Sequence, residues 1–157
     1  MSDFISKEVS VRDVVFGENV TMVSPVNVYE CHIGDNSFIG PFCEIQSGVI
    51  IGKRTKIQSH SFVCDLVSIG EDCFIGHGVM FINDTFEKGG PANGDKSLWR
   101  RTVISSRVSI GSNATILPVS ICSDVVIGAG AVVTKSISKP GVYAGNPARY
   151  LSEVKNG

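Results

Sequence analysis

Much that would place this sequence quickly is missing from it. Its 157 residues are 43% hydrophobic, yet no apolar run approaches the roughly 20 residues that a membrane span requires. The net charge of −1 supplies no electrostatic case for nucleic acid or for an anionic membrane surface. The stretch MSDFISKEVSVRD at the start is charged and lacks the apolar segment of a secretion signal. Five cysteines are an odd number without CxxC spacing, so neither a disulfide framework nor a zinc site is favoured. A reducing cytoplasm is the expected compartment. Length fits a single domain over 1–157 with a core of its own.

Glycine, by contrast, is abundant at 17 residues, and most of it is periodic. From Ile33 the chain parses in sixes: IGDNSF, IGPFCE, IQSGVI, IGKRTK, IQSHSF, VCDLVS, IGEDCF, IGHGVM. A second beat, ISSRVS to VTKSIS, begins at Ile104, and FGENVT, MVSPVN and VYECH carry the pattern back to Phe16. A period of six suits neither a helix nor an alternating strand. It suits a solenoid whose coils have three short sides, with one large apolar residue per side pointing inward. Glycine after that residue is expected to serve the tight corners. Grouping by threes predicts about six coils, starting at Phe16, Ile33, Ile51, Ile69, Ile104 and Ile121, over residues 14–138, with a tail at 139–157.

Every irregularity falls on the third side of its coil. VYECH and ILPVS are each one residue short there, and the long break over 83–101 leaves from the same side. Insertions that gather on one face are the habit of repeat proteins, and a long loop in a compact repeat is usually functional. Cys43 and Cys73 occupy the inward small position and read as buried apolar residues. Cys31, Cys64 and Cys122 lie elsewhere in the hexad and are not placed by the pattern.

The hexads, with IGAGAVVTKSI (127–137) and VYAGNPARYL (142–151), resemble the hexapeptide-repeat acyltransferases over nearly the whole chain. The resemblance implies an all-β, left-handed parallel β-helix, a homotrimer, and acetyl-coenzyme A bound between subunits. FINDTF followed by a polar loop is most similar to acetyltransferases that act on nucleotide-linked 3-amino sugars. It implies that the break is the active-site corner and that the acceptor is a dTDP- or UDP-linked amino sugar. A separate nucleotide-binding domain, such as some bacillosamine-pathway acetyltransferases have, is not expected here, and the sugar nucleotide is expected to be held by the coils and the loop. ILPVSIC also shortens the family's ILPGVTIG. An O-acetyltransferase of a free sugar or small hydroxyl compound shares much of this pattern. A γ-carbonic-anhydrase-like or purely structural hexapeptide protein is a second class, disfavoured because histidine intervals of 28 and 17 residues do not match an HxxxxH ligand spacing. No metal is expected.

Acetyl transfer to an amine needs a positioned neutral amine, a proton acceptor and a donor for the oxyanion. Histidine is the natural acceptor near neutral pH. Ile-Gly-His77 resembles the Val-Gly-His of the bacillosamine-type enzymes, whose histidine is the base, although the acidic residue that follows it there is Gly78 here. The alternatives for His77 are a solvated corner residue, or His60 as base on the coil before it, where the two rings are expected to share a neighbourhood. His32 is the weakest of the three. Asn83 is expected to orient the amine through its amide oxygen, or else simply to turn the chain; Asp84 is expected to take the proton or fix His77. For coenzyme A, the resemblance points to backbone at Gly111, Ala129 and Ala131, and to Lys135, Asn146 and Arg149. In the loop, Trp99 is expected either to stack on a base or to pin the loop, while Arg100 or Arg101 grips a diphosphate.

Overall fold

The computed structural model describes residues 5–155. Its strands are two to four residues long and stack in three sheets of seven, six and eight strands, in which each strand pairs with the one a full coil away. All pairings are parallel except the last, where Gly141–Ala144 and Arg149–Ser152 form an antiparallel hairpin. The result is a three-sided parallel β-helix of about seven turns, consistent with the left-handed prism that the hexads imply. Among the described residues, the single turn Lys96–Leu98 is the one helical piece, and it lies in the loop.

The hexad register holds from Phe16 onward, although in the first coil Phe16 is left 44% exposed and Met22 half-buried. On one side Ile39, Ile57, Ile75, Ile110 and Ile127 are direct partners in successive strands. They and their counterparts on the other two sides are 0–2% exposed. Burying each such side chain stabilises by about 1.5–3 kcal/mol, and each leans on the residue above and below. We call the side led by Ile33, Ile51 and Ile69 side I, that led by Ile39, Ile57 and Ile75 side II, and that led by Ile45, Val63 and Phe81 side III.

Three expectations are revised. The strand Val11–Arg12 adds to side III ahead of Phe16, and Gly141–Ala144 adds to side II beyond the last hexad, so the solenoid outruns the six-coil count. Glycine after the leading residue is not there for the corner. The left-handed backbone falls two residues later, on Asn36, Arg54, His60 and Asp72, with φ of +55 to +63°. Gly34 and Gly76 are glycine because a Cβ would sit 2.7 Å from backbone of the next coil. The inward small position is also more than apolar filler. Ser37, Thr55 and Ser61 donate their hydroxyls to Gly52, Gly70 and Gly76 carbonyls at 2.8–3.0 Å. Cys43 and Cys73 make the equivalent thiol contacts with Gln58 and Ser105 carbonyls, at 3.1 and 3.2 Å. Serine, threonine and cysteine recur there because each has a donor for a carbonyl that water cannot reach.

The unplaced cysteines follow the same logic. Cys31 and Cys64 are buried and Cys122 half-buried; all five are free. Burial pushes the Cys31 thiol up to about 11 and Cys64 up to about 12, which keeps both protonated and unreactive.

Candidate active site

All three irregularities do lie on side III. The contracted VYECH and ILPVS contribute Val28 and Ile116 to that sheet, and the loop leaves after the strand Met80–Phe81. It returns at Thr102–Ile104, the first strand of side I in the next coil. The break therefore interrupts the corner between sides III and I.

Polar residues staple the excursion to the prism. Asn83 accepts the Arg100 N–H on its carbonyl at 2.8 Å, closing the base of the loop, and its side-chain nitrogen donates to the Asp65 carbonyl at 3.1 Å. That leaves the Asn83 amide oxygen without a hydrogen bond among the described residues. The two Asp84 oxygens accept from Phe86 N–H at 2.9 Å and Ala92 N–H at 2.7 Å, so Asp84 shapes the loop and does not fix His77. Arg100 pairs with Glu87 at 2.9 Å and donates to the Ser97 carbonyl, which makes it a loop brace. Among the described residues Arg101 has no such partner and is the freer of the two guanidinium groups. Trp99 is half-buried with the Lys96 ammonium 5.4 Å from its ring centre, and Lys96 in turn pairs with Asp65. The pinning alternative for Trp99 thus has contacts behind it. Nothing in the sequence marked Asp65, whose partners are set entirely by the coil stacking.

His77 lies at the other end of the same side, at the corner between sides II and III. Between it and Asn83 the chain turns at His77–Gly78 and then crosses side III in the strand Met80–Phe81. The pairing of His77 with His60 fails. Register places Ile75 on Ile57, so His77 stands over Ser59 and Gly78 over His60. His77 Nδ1 is 2.9 Å from Ser59 Oγ. His60, in the left-handed conformation, turns away and packs on Phe42 with ring centres 4.9 Å apart. His32 lies on side I, beside neither group.

Of the backbone sites expected for coenzyme A, Gly111 N–H and both backbone groups of Ala131 are consumed within the helix, and Ala131 is fully buried. Ala129 is exposed at its corner. Further up, Lys135 and Arg149 do come together. They line a groove of about 320 Å³ with Val133, Tyr143 and Tyr150. Asn146 sits in the exposed turn between the last two strands. A cationic groove with aromatic walls can take a phosphorylated nucleotide. A larger cleft, about 700 Å³, lies elsewhere, between Arg107, Asp124, Lys139 and Glu153, and holds none of the candidate residues.

The chain's repeats match two family models. "Bacterial transferase hexapeptide (six repeats)" covers residues 30–65, and "Hexapeptide repeat of succinyl-transferase" covers 66–80 and 101–135, leaving out the loop between them. Among curated proteins, the bifunctional protein GlmU of Rubrobacter xylanophilus is 33% identical over 76% of this chain and 23% of its own length. The chain spans about a fifth to a third of such relatives. A hexapeptide-repeat-containing acetyltransferase of Vibrio cholerae, complexed with acetyl coenzyme A, is 26% identical over 80% of this chain and 72% of that one, with TM-score 0.68. The fold is also that of a mutant of AntD, an N-acyltransferase from Bacillus cereus in complex with dTDP and coenzyme A. That structure has TM-score 0.73 and 22% identity, covering 90% of this chain and 84% of that one. Prism, repeats and likeness define a transferase of the hexapeptide class. The chain belongs to the hexapeptide-repeat acyltransferases.

Proposed function

We propose that the chain is an acetyl-coenzyme A-dependent N-acetyltransferase whose acceptor is a dTDP- or UDP-linked amino sugar. The amine is that at C3 of a 3-amino-3,6-dideoxyhexose destined for surface polysaccharide, and the enzyme acts in the cytoplasm. One observation carries the reading: side III, the side interrupted by the loop, has His77 at one edge and Asn83 at the other. AntD, of the same fold, holds dTDP and coenzyme A in its crystal, which supports a nucleotide-linked acceptor here.

The two groups stand at opposite corners of side III in one chain, and the surface between them argues for a second copy. The outward residues of side III run Asn27, Glu44, Phe62, Met80, Thr115, Val132, with Leu117 beside them, a ladder polar at the start and mostly apolar from Phe62 onward. Met80 is 41% exposed. Three copies with side III turned to a common axis bury that ladder and bring the His77 corner of one against the loop corner of the next. The site is then shared between subunits of a homotrimer.

In that site the amine attacks the thioester carbonyl carbon. A C–N bond forms, the C–S bond breaks, and the amine proton passes to His77 and on to the departing thiolate. The Asn83 amide oxygen accepts from the amine and aims its lone pair. Arg101 is assigned to the diphosphate, and Lys135 with Arg149 to the phosphates of coenzyme A.

The deciding experiment is a thiol-release screen with acetyl-coenzyme A against a panel of amino-sugar nucleotides and free hydroxyl acceptors. Turnover confined to the hydroxyl compounds would replace the amine reading with an O-acetyltransferase. Sedimentation giving a fully active monomer would remove the shared site.

A further inference from the structure

We propose that Ser59 is the positioning residue of His77, holding the ring in the tautomer whose Nε2 is free to accept a proton. This rests on His77 being the base. Ser59 lies directly below His77 because Ile57 pairs with Ile75, and its Oγ is 2.9 Å from His77 Nδ1. The segment is held on both sides. Gly78 N–H donates to the Ser59 carbonyl at 3.0 Å, and Asn113 N–H donates to the His77 carbonyl at 2.8 Å. The imidazole is thus placed by the coil below it and the coil above it.

The residue after His77 does not offer such a contact. It is Gly78, in the left-handed conformation with φ of +67°, and it carries no side chain. Ser59 supplies the contact across the coil instead. A neutral imidazole carries one N–H, and the partner on one nitrogen decides what the other can do. With Nδ1–H donating to Ser59 Oγ, the Nε2 lone pair is open. With the proton on Nε2, the exposed nitrogen is a donor and cannot serve as base. A hydroxyl can accept or donate, so the tautomer in which Ser59 Oγ accepts is the substance of the proposal; having no charge, it does not fix the ring as a cation.

The test reads the ring directly. In ¹⁵N-labelled protein at a pH where the ring is neutral, His77 is expected to show a protonated Nδ1 and a bare Nε2. Ser59→Ala should move the proton toward Nε2 and lower kcat by about 10–100-fold, the range found when partners of metal-bound histidines are removed. KM for acetyl-coenzyme A should hold, and Ser59→Thr, which keeps the hydroxyl, should restore both spectrum and rate. A wild-type ring protonated on Nε2, or a spectrum unchanged in Ser59→Ala, overturns the positioning role while leaving the base reading intact. A near-normal kcat in His77→Ala overturns the base reading by itself, and the catalytic role of Ser59 with it.

Discussion

A shared site can be rebuilt from two broken chains. His77→Ala should lower kcat by about 10²–10⁴-fold, the usual loss for a general base, and Asn83→Ala should lower kcat and raise KM for the sugar nucleotide. Each variant alone then has little activity, but neither damages the partner's half of a site. A trimer assembled from both contains two copies of one variant and one of the other. Going round the three-fold axis, one contact in three joins the intact His77 of an Asn83→Ala chain to the intact Asn83 of a His77→Ala chain. Co-expression with two different tags and tandem purification, which discards the parent trimers, should therefore recover about a third of wild-type activity. The magnitude follows from the proposed assembly: His77 and Asn83 stand at the two edges of side III, so neighbouring copies bring the two together. Mixed trimers no more active than their parents would refute this and return both residues to a single chain. Running His60→Ala alongside is a control, because its ring packs on Phe42, away from His77.

Three further outcomes are expected. Ile75→Ala should cost about 2–5 kcal/mol in denaturant unfolding, and Ile75→Asp should prevent folding; an unchanged melting temperature for the aspartate would mean the inward residue is misassigned. Lys135→Ala and Arg149→Ala should each raise KM for acetyl-coenzyme A by about 10-fold or more with kcat little altered, since a charge-assisted contact to phosphate contributes about 1.5–3 kcal/mol; unaltered KM in both would move the cofactor out of this groove. Pairing with Lys53, Arg54 and Arg107 holds the carboxyls of Asp35, Asp72 and Asp124 below their ordinary range. A depressed native pKa gives stability that is present above the unfolded value, about 3.9, and is lost as pH falls through the native one. The melting temperature should accordingly decline below about pH 4, and less steeply in Asp72→Asn; equal slopes would show the ladder contributes nothing.

The prism was legible because its code is local and repeated. Each hexad states its own inward residue, and stacking identical statements fixes register without any long-range information. The same redundancy located the one interruption and the side it leaves from. Even so, reasons attached to single residues went astray where they depended on the next coil. Gly76 looked like a corner glycine, but its constraint is the backbone of Gly111 and Ser112, one coil and a loop away. Asp84 looked chemical until its two oxygens were found holding Phe86 and Ala92. Hexad arithmetic placed His60 and His77 on adjacent coils, yet they differ by one position within the hexad, so Ser59 and not His60 lies under His77. Asp65 and Ser59 carried no signal at all, since each gains its meaning from a partner on another coil: Asn83 and Lys96 for the one, His77 for the other. By itself, then, the sequence determined the repeat, the core and the edge where regularity ends. Only the tertiary structure decided which side chains meet across coils and that His77 and Asn83 lie at opposite edges of one face, because contact between coils is set by stacking distance and corner geometry, which no single hexad contains.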